Sequence, residues 1–566
     1  MRGADLVAQA LAAAGVRRVF SLSGNQVLSL YDALDRAGIA IIHTRHEGAA
    51  VHMADGHARL TGEVGVALVT AATGHANALG ALAMAESGET PLVLLSGHAP
   101  YGKAGAFQQM DQERLARPIT HWAATASSAD QLPALLETAF ARACAARPGP
   151  VSLNLPVDVL EAAAPASSAP SAPSALLDPA HASDSPWPDN TDDASAAAAL
   201  APSFREIASR LRAAARPLIL AGPSASRPAL HAALQELCAH TRLPLVIVDH
   251  PRGLTDPALG RAAHALPDAD CVLLFGKTQD YRLGYGAALA SGATLLQIDP
   301  SPEELGRYRP AAVGLLSDLL PAATHLLAAA RALDPTPWPA TDWTAHVQRL
   351  VDTPVAPDGA ALAVPDSPDA LHPWRVLDAL AELLDQRERD GRDVCLVIDG
   401  GEFGQWARAR LAPRLRREVG RHLVNEPSGT IGYAVPFAIA ARLARPDATV
   451  IAIAGDGAFG FYAMELETAA RAGAPILALV GNDAAWGTER HLQRARYGSH
   501  RTIATDLLPA RYDLLAQSLG GEGLLLRDAA HIRPTLEQAL ASVDTGRVTL
   551  VNARIASVPS PAGAPP

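Results

Sequence analysis

Apolar residues in this chain gather in short unbroken runs, separated by longer stretches in which they follow helical spacing. Gly65-Val-Ala-Leu-Val-Thr70 and Pro91-Leu-Val-Leu-Leu-Ser96 are two such runs, with a helix-compatible segment between them. An unbroken apolar run predicts a strand covered on both faces, and alternation with helices predicts a parallel sheet. The pattern holds over residues 1–160. It returns over 204–333, with candidate strands Pro217-Leu-Ile-Leu-Ala221, Pro244-Leu-Val-Ile-Val248, Cys271-Val-Leu-Leu-Phe275 and Thr294-Leu-Leu-Gln-Ile298. It returns again over 372–557.

Between these blocks the pattern stops. Residues 161–203 are rich in Ala, Ser, Pro and Asp, and nearly free of large aliphatic side chains after Leu177. Such a composition predicts a disordered linker. A Pro-rich stretch over 334–371 predicts a second linker, and 558–566 a short tail. The predicted fold class is therefore α/β, with three doubly wound parallel-sheet domains in series.

Composition narrows the function. With 566 residues and 49% hydrophobic content, the chain can bury several cores. The net charge of −11 argues against a nucleic-acid partner, since phosphate binding needs clustered Lys and Arg. The short Arg414–Arg421 stretch reads as a solvated helix face. Cys144, Cys238, Cys271 and Cys395 are scattered, which predicts buried thiols rather than a disulfide framework or zinc site. No signal peptide or transmembrane run is evident, so the expectation is a cytoplasmic protein working on small molecules, with no membrane partner.

Chemistry concentrates at strand ends. Thr449-Val-Ile-Ala-Ile-Ala454 runs into Gly455-Asp456-Gly457, and Pro475-Ile-Leu-Ala-Leu-Val480 runs into Gly481-Asn482-Asp483. Glycine lets the backbone turn tightly and approach a ligand. An acid there lies at the carboxyl edge of a sheet, where α/β proteins bind ligands. Gly-Asp-Gly alone reads equally as a turn whose Asp caps a helix. A second strand end carrying an oxygen donor 27 positions later shifts the reading to a hard cation such as magnesium.

These residues resemble the metal–diphosphate motif of thiamine-diphosphate-dependent enzymes. The resemblance implies magnesium held by Asp456, Asp483 and the main-chain carbonyl of Ala485, with Gly455, Gly457 and Ala458 against the cofactor. Where the family usually has a second asparagine, this chain has Asp483, which adds a negative charge. Gly429-Thr430-Ile431-Gly432 is similar to the segment that clasps the aminopyrimidine. Ile431 would wedge between the two rings, and the Gly429 carbonyl would accept from the amino group. Asp399-Gly-Gly-Glu402-Phe403 looks like the start of the diphosphate domain, with Glu402 as a further acid.

The first block carries the matching half. Arg45-His46-Glu47, followed by Ala54-Asp55-Gly56-His57-Ala58-Arg59, resembles the family's activating glutamate segment. There the carboxylate hydrogen-bonds a pyrimidine nitrogen and promotes the tautomer that activates the thiazolium carbon. Ala106-Phe107-Gln108-Gln109 resembles the acetolactate synthase loop whose glutamine faces that carbon. Ser21-Leu-Ser-Gly24-Asn25-Gln26 resembles benzaldehyde lyase, so Gln26 would orient substrate without acting as a base. In Thr70-Ala-Ala-Thr-Gly74-His-Ala-Asn77, His75 is the histidine expected to face the cofactor.

The implied architecture is a pyrimidine-binding domain (1–160), a central domain (204–333) and a diphosphate-binding domain (372–557). The implied activity is a lyase or carboligase on 2-oxo acids or 2-hydroxy ketones, acetolactate-synthase-like. A 2-hydroxyacyl-CoA lyase or oxalyl-CoA decarboxylase activity, or a cofactor-binding homologue without turnover, are the alternatives. A shortened connection from Val248 to Cys271 and the lack of a Gly-x-Gly-x-x-Gly fingerprint speak against bound FAD. The family builds each site from two subunits, which implies a homodimer or homotetramer.

Overall fold

In a computed structural model of the chain, residues 1–164, 194–357, 370–417 and 419–561 are described. They form two compact units, Met1–Pro202 and Ser203–Pro566. The first holds one sheet and the second holds two.

The first sheet contains β1 (Arg18–Ser21), β2 (Ala40–His43), β3 (Gly65–Val69), β4 (Leu92–His98), β5 (Trp122–Thr125) and β6 (Pro150–Pro156). Its order is β2-β1-β3-β4-β6-β5, parallel throughout. The central strands β3 and β6 are buried at every residue, as an apolar run covered by helices on both faces requires.

The second unit opens with β7 (Pro217–Ala221), β8 (Leu245–Ile247), β9 (Cys271–Phe275), β10 (Thr294–Asp299) and β11 (Val313–Leu316), in the order β11-β10-β9-β7-β8. Its other sheet comprises β12 (Val394–Ile398), β13 (Leu423–Val424), β14 (Thr449–Gly455), β15 (Leu477–Asn482), β16 (Glu522–Leu526) and β17 (Thr549–Arg554). The order β13-β12-β14-β15-β17-β16 repeats that of the first sheet strand for strand. The chain thus contains three parallel α/β sheets, as the sequence predicts.

The linkers differ from expectation. Residues 165–193 of the first lie outside the described residues, so the expected disorder there is not addressed. Its end is helical: the helix Ala194–Ala213 starts within it, and Phe204, Ile207 and Leu211 are buried. The second linker contains the helix Asp342–Asp352, while 358–369 lie outside the described residues. Trp343 and Val347, one helical turn apart, enter the core of the sheet β7–β11, and Trp343 Nε1 donates to the Pro217 carbonyl at 2.7 Å. Proline flanks this helix rather than interrupting it. The tail is also held in part, since the Val558 carbonyl accepts from Trp406 Nε1 at 3.2 Å.

Two smaller expectations are corrected. Arg414 is buried and paired with Asp385 and Glu388, so this arginine does not lie on a solvated face. No disulfide joins the four cysteines, but Cys144, just past the helix Leu132–Ala143, is exposed.

Candidate functional site

In a doubly wound sheet the strand order reverses between the first and third strands, and the diverging loops leave a crevice at the carboxyl edge. In the first unit this crevice lies beyond β1 and β3. Gln26 follows β1, Thr70 follows β3, and Thr70 Oγ1 donates to Gln26 Oε1 at 2.8 Å. Gln26 Nε2 in turn donates to Gln108 Oε1 at 2.6 Å. Two glutamines 82 positions apart are thereby brought together. Gln108 sits at φ +57°, a left-handed conformation that costs a non-glycine residue energy and holds this loop in an unusual path.

Glu47 is the first residue of the helix Glu47–Thr61. His46 caps that helix, its Nδ1 accepting from Gly48 N–H at 2.9 Å. An acid in the first turn is favoured by the helix dipole, yet Glu47 is only 8% exposed. Asn77 Nδ2 donates to Glu47 Oε2 at 3.1 Å and fixes one carboxyl oxygen.

His75 departs from expectation. It lies in the helix Thr73–Ser87, is fully buried, and its Nδ1 meets Ser96 Oγ of β4 at 2.8 Å. Burial holds its pKa down at about 4, so the ring is a neutral packing group. The helical turn that follows Ala72 directs it inward, away from the loop surface.

The second unit carries a cavity of about 200 Å³ at the carboxyl edge of β12, β14 and β15. Gly429, Ile431, Gly455, Asp456, Gly457, Ala458, Asp483 and Ala485 all line it. The sequence separates these residues by more than 50 positions, and the sheet gathers them around one space. Gly457 is required here, because a Cβ would lie 2.8 Å from the Trp486 ring.

Asp456 is 1% exposed, and among the described residues neither carboxyl oxygen has a hydrogen-bond partner of good geometry, although the N–H groups of Asp456 and Gly457 and the Asp483 carboxyl lie close by. Burial first, and then the neighbouring charge of Asp483, push it up to about 7. Among the described residues no three His, Cys, Asp or Glu side chains gather as a complete metal cage. The pair instead leaves coordination positions for main-chain and ligand oxygens.

The clasp around Ile431 is organised by Asp399, which follows β12. Its carboxylate accepts from Gly400 N–H at 2.8 Å, Gly432 N–H at 2.8 Å and Ala434 N–H at 2.9 Å. Tyr433 OH donates to the Ile398 carbonyl at 2.5 Å and pins the same turn to β12. Asp399 was not singled out from the sequence as a site residue. Its signal is an acid followed by two glycines at a strand end, the same kind of pattern that marks Asp456. His250, Pro251 and Arg252 also line the cavity from the loop after β8, and nothing local in the sequence announces them.

Comparison with known proteins agrees with this arrangement. The family model "Thiamine pyrophosphate enzyme, N-terminal TPP binding domain" matches residues 1–115, the central-domain model matches 204–326, and the C-terminal TPP-binding-domain model matches 399–553. The acetolactate synthase large subunit IlvG of Mycobacterium tuberculosis is 34% identical over 550 residues, covering 96% of this chain and 94% of that protein. The human 2-hydroxyacyl-CoA lyase 2 is 31% identical over 560 residues, covering 93% of this chain and 85% of that protein. With the two strand-edge sites built as described and all three domain models matched in order, the chain belongs to the thiamine pyrophosphate enzyme family.

Proposed function

We propose that this chain is a thiamine-diphosphate- and magnesium-dependent enzyme that makes or breaks the C–C bond beside a carbonyl, using 2-oxo acids or 2-hydroxy ketones in the manner of an acetolactate synthase. The carrying observation is Asp456: a buried carboxyl group with no cationic partner among the described residues, beside a second acid, in a cavity lined by glycine backbone. A buried acid beside a half-buried one calls for a cation, and magnesium prefers oxygen donors completed by phosphate oxygens and water. The residues present therefore fit the cofactor.

Asp456, Asp483 and the Ala485 carbonyl would hold magnesium. Gly455, Gly457 and Ala458 would lie along the diphosphate, with Gly429 and Ile431 against the rings. The bound cofactor supplies an electron sink next to the reacting carbonyl. Glu47 supplies a carboxyl in a water-poor setting, with one oxygen fixed by Asn77 and the other left to share a proton. Gln26 and Gln108 offer amide groups that orient a carbonyl, and neither can act as a base.

FAD has no part in this reading. Lys277, buried at the edge of the central sheet, is bound by the Thr278 carbonyl and both Asp280 oxygens, which leaves it committed to its own domain. A homodimer or homotetramer is the proposed working form. Phe107, 76% exposed beside Gln108, and Phe461, 54% exposed, are apolar side chains of the kind that subunit contacts cover. No helix among the described residues is long and apolar enough to cross a membrane, and four cysteines outside any disulfide fit a reducing cytoplasm.

A second reading, 2-hydroxyacyl-CoA lyase activity, is favoured by the relatives of that name, which align with 93% of the chain. The deciding experiment titrates the purified chain with thiamine diphosphate and magnesium by circular dichroism. It then assays product from pyruvate, from pyruvate with a second 2-oxo acid, and from a 2-hydroxyacyl-CoA. Acetolactate formation supports the first reading. Aldehyde release from the thioester without pyruvate turnover supports the second. Tight cofactor binding with no turnover of any donor would leave a cofactor-binding homologue.

A further inference from the structure

The cavity that gathers Asp456 and Asp483 is unusually acidic for a place that takes a diphosphate. Glu402 and Glu489 line it as well. A Cβ built on Gly487 would lie 3.1 Å from Glu402 Cβ and 3.2 Å from Asp483 Oδ2, so the two acids flank one glycine. Among the described residues that line the cavity, Arg252 is the one Lys or Arg. It comes from the central domain, not from the sheet that supplies the acids.

Arg252 is 6% exposed. A buried guanidinium needs a nearby counter-charge. Burial lowers its pKa, and two acids act against that, Glu402 first and then Asp256. Asp256 is already committed: Arg408 holds it through Nε at 2.8 Å and through Nη2, and Ala258 N–H donates to it at 3.1 Å. Glu402 is held in place too, by Ser560 N–H and by Thr488 Oγ1 at 3.3 Å, but neither partner brings a positive charge. The loop that carries Arg252 is fixed by its own neighbour, because Arg252 N–H donates to His250 Nδ1 at 3.2 Å. That bond leaves the proton of the neutral His250 ring on Nε2, which has no partner among the described residues.

We propose that Arg252 is a positioning residue of the cofactor site, whose guanidinium offsets Glu402 so that the cavity accepts an anionic diphosphate together with its divalent cation. A magnesium–diphosphate pair retains net negative charge, and a second uncompensated acid beside it would repel it. Arg252 thereby links the central domain to cofactor affinity. This inference rests on the proposed thiamine diphosphate binding.

The test is a double-mutant cycle on the full chain, read as thiamine diphosphate affinity from tryptophan fluorescence at saturating magnesium. Arg252→Met is expected to weaken binding about tenfold or more, the ratio that roughly 1.4 kcal/mol gives. Glu402→Gln is expected to tighten binding, and Arg252→Met with Glu402→Gln to return within about threefold of wild type, since removing both charges removes the coupling. Arg252→Lys keeps the charge and is expected to bind within a few-fold of wild type. Additive effects in the double variant, or unchanged affinity in Arg252→Met, overturn the proposal. If Arg252→Met does not fold, Glu402→Gln and Arg252→Lys decide: tightening in the first and near-wild-type binding in the second support it, and failure of either overturns it. Wild-type chain that binds no thiamine diphosphate overturns the proposed function itself, which separates that failure from this one.

Discussion

Replacing Asp399 by Asn alters a single oxygen and removes a charge at the point that holds the Ile431 clasp. The carboxylate accepts three backbone N–H groups, from Gly400, Gly432 and Ala434. Asn can keep the first two on its carbonyl oxygen. Its amide NH₂ then faces Ala434 N–H, donor against donor. The variant loses a charge-assisted hydrogen bond, about 1.5–3 kcal/mol, and strands a buried N–H at about 1–3 kcal/mol. Relief opposes this loss. Burial pushes Asp399 up to about 7 against the three donors, and a neutral amide avoids that desolvation. At neutral pH the loss exceeds this relief by at most about 2 kcal/mol, concentrated in the turn at 429–434. If cofactor binding must rebuild that turn, affinity falls by at most roughly 30-fold. The folded value lies above the unfolded 3.8, so wild type loses stability as pH rises from about 4 to about 7, whereas the Asn variant does not. The stability gap between them should therefore narrow with rising pH. Fluorescence titration with thiamine diphosphate, urea unfolding at several pH values and hydrogen exchange across 429–434 measure these effects. Wild-type affinity together with unchanged exchange in the turn would refute the role given to Asp399.

Three further outcomes are expected. Glu47→Gln should lower turnover by about 10²–10⁴ while cofactor affinity changes little, because the amide fills the same space but cannot share the proton; steady-state rates beside a binding titration check it, and full activity would sink the assignment. His52, His250 and His422 are held down at about 3 and His75 at about 4, chiefly by burial, against 6.5 when unfolded. Unfolding therefore takes up protons at these rings below pH 6.5, and each ring should cost about 2 kcal/mol of stability by pH 5; because Asp399 works the other way over the same range, urea midpoints of His422→Gln and wild type are compared at pH 7 and pH 5, and an unchanged pH dependence in the variant would contradict it. Trp343→Ala should destabilise the second unit by about 3–5 kcal/mol, through the emptied core space and the lost bond to Pro217; calorimetry reads it, and a loss below about 1 kcal/mol would show that the helix Asp342–Asp352 is not anchored there.

Sequence reasoning reached the acids at the ends of β14 and β15 because their signal is local. A continuous apolar run specifies a covered strand, and glycine beside an acid marks its ligand-facing end. It failed where the deciding partner is remote. The Pro-rich composition of 334–371 hid a helix whose Trp343 and Val347 make sense only against the core of the sheet β7–β11. His75 reads as a loop histidine until the turn after Ala72 directs it onto Ser96. Arg414 reads as solvated until Asp385 and Glu388 are brought beside it.

The sequence by itself determined three α/β blocks in order, and it marked Glu47 at a helix start and Asp456 and Asp483 at strand ends as the candidate site acids. Each depends on contiguous residues: strand runs, turn glycines, and an acid at a helix start. Only the tertiary structure decided that Gln26 and Gln108 share a hydrogen bond, that Asp399 holds the turn around Ile431, and that Arg252 and Glu402 line one cavity. Those pairings join residues far apart in the chain. Their energy arises from burial and charge, which exist only once the sheets have closed the space between them.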